Sequence, residues 1–126
     1  MQVKEQEAIN STKLGDLVVQ GMLEKKASDV VVMDLREVKN AIADYFIICS
    51  GNSDTQIDAI ADSVEGYVHK AIKQNPWKRE GKQNKEWVII DYVDVVAHVF
   101  NKDKRIFYGL EELWGDAKTT KIEDLN

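Results

Sequence analysis

Apolar residues in this chain keep two rhythms, one helical and one strand-like, and the places where they change mark the elements. From about Ser11 to Lys26 the positions Leu14, Leu17, Val18 and Met22 recur at helical spacing, which predicts an amphipathic first helix. Residues 1–10 are polar and are expected to form a flexible N-terminus. Val30 to Leu35 is apolar on both faces and reads as a strand inside a sheet. Arg36 to Ala43 is a polar connector, and Tyr45 to Cys49 is a second, almost wholly apolar strand.

Ser53 followed by Gln56 forms a capping box, in which each side chain satisfies a free backbone N–H at a helix start. Ile57, Ile60, Ala61, Val64, Val68, Ala71 and Ile72 then carry the longest helical stripe, with Pro76 beyond it as a stop. Residues 77–85 read as a charged loop pivoting on Gly81. Lys102-Asp103-Lys104 is a turn, and a last helix begins near Arg105 with Phe107, Leu110, Leu113 and Trp114 on its apolar side. Gly115 ends it, leaving residues 118–126 as a loose tail. The order α-β-β-α-β-β-α predicts one α/β (α+β) domain over residues 11–117, with a mixed β-sheet flanked by helices.

Between these helices lies the most β-branched stretch, Glu86 to Asn101. Trp87–Ile90 and Val95–Phe100 flank Asp91-Tyr92-Val93-Asp94 and predict a β-hairpin. A two-residue turn at Tyr92-Val93 would set Asp91 opposite Asp94, Ile89 opposite Val96 and Trp87 opposite His98. Those six share one face, and Val88, Ile90, Val95, Ala97 and Val99 share the other. The second face is core-like. The first mixes a Trp, two aliphatics, a His and two carboxylates, so a helix half covers it or a partner does. The tight turn asks for φ > 0 at both central residues, which β-branched Val93 resists, so a bulged link is the alternative. Tyr92, at the tip, is expected to be exposed, while Phe107 and Trp114 fit core.

Composition narrows the function classes. A net charge of −5 disfavours broad binding to a phosphate backbone and gives no sign of sequence-specific nucleic-acid binding, but it suits a basic protein partner. Lys78, Arg79, Lys82 and Lys85 cluster locally, yet Glu80 and Glu86 stand among them, as on a solvated loop. No apolar run is long enough for a membrane span. The polar N-terminus lacks signal- and transit-peptide patterns. The single Cys49 lies inside an apolar strand and reads as a buried small hydrophobe in a reducing, cytoplasmic location.

Candidate chemistry is sparse. His69 and His98 have no Cys or His partner at a ligand spacing, so no metal site is expected, and His98 is assigned a packing or hydrogen-bonding role. Asp91 and Asp94 fit turn-capping carboxylates better than an acid/base pair. Ser50-Gly51-Asn52-Ser53 precedes a helix but matches no phosphate-binding signature. A nucleotidyltransferase would follow such a turn with two acids one residue apart on the next strand. Here Asp91 and Asp94 are separated by two residues, so no catalytic, cofactor or metal residues are assigned. An enzyme using Ser50, Ser53, Asp91 and Asp94 on a nucleotide stands as the alternative, and a homodimer joined through the hairpin face as a third reading.

Several ordered motifs across residues 11–117 resemble the ribosomal silencing factors, also called the Iojap-like family. They are Asp29 to Leu35, Ala43 to Gly51 with Ser53 and Gln56, Glu80-Gly81, and Trp87 to Tyr92. Asp94 to Phe100, Arg105, Phe107-Tyr108, Leu110-Glu111 and Leu113-Trp114 complete the set. The resemblance implies a nucleotidyltransferase-like fold without the catalytic acids. It also implies binding to the large (50S) ribosomal subunit through ribosomal protein fourteen, which blocks joining of the small subunit and damps translation in starvation or stationary phase. Matched residue by residue, the partner-binding positions it implies are Glu80, Trp87, Asp91, Tyr92 and Asp94. Two positions depart from the family pattern: Val93 stands where Gly is common, and Ala97 where a larger aliphatic is usual.

Overall fold

A computed structural model describes the backbone of residues 2–81 and 85–122, and side chains from Ser11 onward. Its elements are α1 (Gln2–Glu24), β1 (Ser28–Asp34), β2 (Tyr45–Gly51), α2 (Asp54–Ile72), β3 (Lys78–Gly81), β4 (Trp87–Asp91), β5 (Val95–Asn101), α3 (Arg105–Tyr108), α4 (Leu110–Leu113) and β6 (Lys118–Lys121). One six-stranded sheet has the order β3-β4-β5-β2-β1-β6. β2 and β5 run parallel at its centre, and the other neighbours are antiparallel. The mixed sheet with helices is therefore as the sequence predicts.

Four expectations are corrected. α1 starts at Gln2, so residues 2–10 continue the helix predicted from Ser11. The charged loop at 77–85 contains an edge strand, β3, whose Glu80 pairs with Ile89; Lys82 lies outside the described residues. The tail contains β6, which pairs with β1 from Asp34↔Lys118 to Val31↔Lys121, while its last four residues lie outside the described part. The single last helix is two one-turn helices, α3 and α4, divided by Gly109 at φ 62. That break ends the apolar stripe, leaving Phe107 76% exposed instead of in the core.

Two apolar clusters lie on opposite sides of the sheet. On one, Leu14, Val18 and Met22 of α1 and Ile57, Ile60, Val64 and Val68 of α2 pack on Ile47, Cys49, Val88, Ile90, Ala97 and Val99. The two helices cross closely. A Cβ on Gly21 would lie 2.6 Å from the Val64 Cα, and Ser63 Oγ donates to the Gly21 carbonyl at 2.7 Å. The capping box operates as predicted at one end, with Gln56 N donating to Ser53 Oγ at 3.1 Å. The Gln56 amide also accepts from Asn52 N and donates to the carbonyls of Lys25 and Lys26, so it fastens the start of α2 to the end of α1. α2 closes on Lys73 in the left-handed region, before Pro76.

On the opposite side Val31, Met33, Leu35, Phe46, Ile48, Val96 and Phe100 are covered by the 35–44 connector and by Leu110, Tyr108 and Trp114. This cover is thinner than two long helices and stops short of the β3–β4 margin. Cys49 is fully buried, and burial pushes its thiol up to about 12, which leaves it inert as a nucleophile. Among the described residues no helix is long and apolar enough to cross a membrane.

Candidate functional site

The hairpin keeps the predicted division of faces but not the predicted partners. Trp87 pairs with Phe100, Ile89 with His98 and Asp91 with Val96, a slip of two residues from the tight-turn register. A slip of two preserves every face, because side chains alternate with period two. The link is correspondingly longer. Asp91 Oδ1 accepts from Val93 N at 2.7 Å, the turn-capping role expected of an Asp. Val93 takes φ 77, the left-handed conformation that its branched side chain disfavours.

Glu80, Trp87, Ile89 and Asp91 therefore lie on one face of β3 and β4, next to Val96, His98 and Phe100 of β5. Glu80, Gly81, Trp87 and Ile89 line a shallow concavity of about 160 Å³ at the uncovered margin. Of the five residues implied by the resemblance, the fold brings Glu80, Trp87 and Asp91 together on this face. Asp94 sits in the exposed link, where its carbonyl accepts from Asp44 N and Tyr45 N. Tyr92 is a correction. It is 4% exposed and packs in the core beneath α1 and α2, because the longer link turns it under the sheet. Burial raises its phenol, and its hydroxyl has no partner among the described residues.

Trp87 is half-buried, and its ring is held from several sides. Its indole Nε1–H donates to His98 Nδ1 at 3.0 Å. Phe100 stacks on it with centroids 4.9 Å apart, and Tyr108 lies tilted against it, also at 4.9 Å. Tyr108 in turn donates to Glu86 Oε1 at 2.7 Å, which raises the tyrosine's pKa because the carboxylate favours the protonated phenol. The indole can only donate, so His98 Nδ1 is the acceptor and its ring proton resides on Nε2. Nε2 has no partner among the described residues. Burial lowers the His98 pKa to about 3, so the ring is neutral and structural at ordinary pH. Tyr108 and Glu86 were not assigned to the site from the sequence. They are 22 residues apart, and no local pattern announces such a pair.

The opposite end of the sheet carries a larger crevice of about 530 Å³, lined by Asp29, Ser50, Lys102, Arg105, Glu111 and Lys121 among others. Ser50 lies there, near the carboxyl end of β2. Asp94 lies at the other end, since Tyr45 pairs with Val95, and five residues of strand, roughly 17 Å, separate the two. Ser50 and Ser53 on one side and Asp91 and Asp94 on the other thus never converge. The transferase-like site is not assembled.

A family model described as "Ribosomal silencing factor during starvation" matches residues 8–126. A ribosomal silencing factor of Halalkalibacterium halodurans is 41% identical over 118 residues, covering 91% of this chain and 97% of the relative. Its counterpart in Bacillus subtilis is 42% identical over 100 residues, covering 79% and 83%. A mouse protein named for mitochondrial assembly of the ribosomal large subunit is 31% identical, covering 79% of this chain and 44% of its own length. Among solved structures, a Bacillus halodurans protein superposes with a TM-score of 0.74 at 36% identity, covering 88% of this chain and 99% of that one.

Proposed function

The chain belongs to the ribosomal silencing factor family, and from that premise we propose that it represses translation by occlusion. It docks on the large ribosomal subunit through ribosomal protein fourteen, fills space the small subunit needs, and so prevents joining during starvation or stationary phase. The mechanism requires no bond chemistry. Its strength is set by how tightly and how long the domain stays bound.

The observation that supports this reading best is the margin around Trp87. A large aromatic stands half-buried on the thinly covered face, fixed by His98, Phe100 and Tyr108 beside a concavity lined by Glu80 and Ile89. A fixed aromatic loses little entropy on contact, which is why Trp and Tyr anchor interfaces. Glu80 and Asp91 share the face of β3 and β4 that carries Trp87, Glu86 precedes it in the chain, and these carboxylates give a basic partner acceptors for charge-assisted hydrogen bonds. Lys78 stands 3.6 Å from Glu80 as a counter-charge.

Sedimentation tests it directly. Purified large and small subunits are mixed with and without the protein and run on a sucrose gradient. Co-migration with the large subunit and loss of the joined ribosome are expected. Trp87→Ala should weaken that binding by about 2 kcal/mol, roughly thirtyfold, if the ring is an anchor. Normal joining with the protein left at the top of the gradient would end the reading; unchanged affinity of a folded Trp87→Ala protein would end the anchor assignment alone.

A further inference from the structure

α3 is a single helical turn, and little of its own sequence holds it in place. Its N-cap residue Lys104 makes no side-chain cap, and none of its residues is buried. Ile106 and Phe107 are 90% and 76% exposed. One turn of helix does not hold its shape or position in water unaided. The chain on either side helps place it, with Lys102 N donating to the Gly51 carbonyl and Leu110 buried, and within the turn itself the side chains that reach the body of the protein are Arg105 and Tyr108.

Arg105 is the stronger tie. Its side chain is 10% exposed. Nη1 donates to the Asp29 carbonyl at 2.7 Å and to Ser50 Oγ at 2.9 Å. Nε and Nη2 grip the Glu111 carboxylate at 2.8 and 3.1 Å. Four of the five guanidinium donors are thus occupied from within the chain. Each acceptor is specially presented. Asp29 has φ 51 and falls where the β1–β2 register shifts, so it leaves the ladder. Ser50 is near the end of β2 and is 1% exposed. Glu111 is returned to the guanidinium by the left-handed turn at Gly109. One side chain therefore ties α3 to β1, β2 and α4.

Three residues on, and hence on the same side of the turn, stands Tyr108, whose ring packs on Trp87 and whose hydroxyl binds Glu86. We propose that Arg105 is a positioning residue for the docking face: by fixing α3 to the sheet it places Tyr108, and through Tyr108 it sets the orientation of Trp87. The proposal rests on the docking reading above for its binding consequence, but not for its effect on the Trp87 ring. Lys cannot substitute for Arg here, since an ammonium cannot make the planar two-pronged grip on Glu111 while also reaching two strands.

The test compares wild type, Arg105→Lys, Tyr108→Ala and the double variant. The indole N–H resonance of Trp87 is assigned by its loss in Trp87→Phe, and affinity for purified large subunits is measured alongside. Arg105→Lys should move the Trp87 resonance and leave that of exposed Trp77 in place. It should weaken binding by about tenfold, the scale of losing one aromatic contact. In the Tyr108→Ala background it should add nothing further. An unmoved Trp87 resonance, or affinity losses that simply multiply, would overturn the proposal. Should Arg105→Lys not fold, Glu111→Ala leaves the guanidinium tied to Asp29 and Ser50 and must shift the same resonance by a smaller amount; no shift in that folded variant would overturn it too. If wild type itself fails to bind large subunits, the docking reading falls and the resonance alone decides the role of Arg105.

Discussion

Acidification should unfold this protein partly through one buried ring, His98. The ring lies between Ile89 of β4 and Ile48 of β2, with Phe46 edge-on at 4.7 Å, and its pKa is lowered to about 3 by burial. In the unfolded chain a histidine titrates near 6.5. Between those values the unfolded state holds a proton that the folded state does not, so stability falls as pH drops through this window. The contribution is fully present above about pH 6.5. At pH 5 the loss is fixed by the unfolded value alone, because the folded ring is still neutral there: about 1.5 pH units at 1.36 kcal/mol each, or about 2 kcal/mol.

A second feature acts in the same direction. Trp87 Nε1–H donates to His98 Nδ1, so a proton added there would set two donors against each other and expel the indole from its place. The assay is urea unfolding at pH 7.5 and pH 5.0, followed by circular dichroism, for wild type and His98→Asn. Asparagine keeps an acceptor near the position of Nδ1 and cannot titrate. Its own packing cost appears at both pH values and cancels in the comparison, as do the carboxylates common to both proteins. Wild type should lose about 2 kcal/mol more than the variant between the two conditions. Equal losses would mean that His98 protonates in the folded state as easily as in the unfolded one, and the burial argument would be wrong.

Backbone positions give three further expectations, each readable as a change in urea midpoint at neutral pH. Gly21→Ala places a methyl 2.6 Å from the Val64 Cα, against backbone that cannot rotate away. It should destabilise by about 1–2 kcal/mol, overpacking outweighing alanine's helix preference. Gly66→Ala, on the exposed side of α2 with nothing within 4 Å of the new Cβ, should stabilise by about 0.5–1 kcal/mol. Val93→Gly relieves a φ of 77 at an exposed position. The strain released should exceed glycine's entropic cost and give a gain of about 0.5 kcal/mol; a loss would show that the branched side chain is not strained there.

What could be read from residues alone divides along the range of the interactions. The capping box at Ser53 and Gln56 lies within four residues, and its Ser53 half forms as predicted, while the Gln56 side chain accepts from Asn52 N instead of Ser53 N. The faces of the hairpin were legible because alternation survives any slip by an even number of residues, and the two-residue slip left Trp87, Ile89 and Asp91 on one side. The slip itself was not legible, because it depends on Val93 accepting a conformation that its side chain resists, and the buried position of Tyr92 followed from that single choice. β3 and β6 escaped for a different reason. Lys-Arg-Glu-Gly and Lys-Thr-Thr-Lys are exposed throughout, as edge strands often are, so their order comes from ladder hydrogen bonds and leaves no hydrophobic alternation. Trp87 was recognisable as an unusual surface residue, but what orients it was not. His98 and Phe100 reach it from β5 and Tyr108 from α3, and Arg105, which ties α3 down, does so through Asp29, 76 residues earlier in the chain. A docking face of this kind is specified by long-range contacts, so single substitutions well away from Trp87 can alter it while leaving every local motif intact.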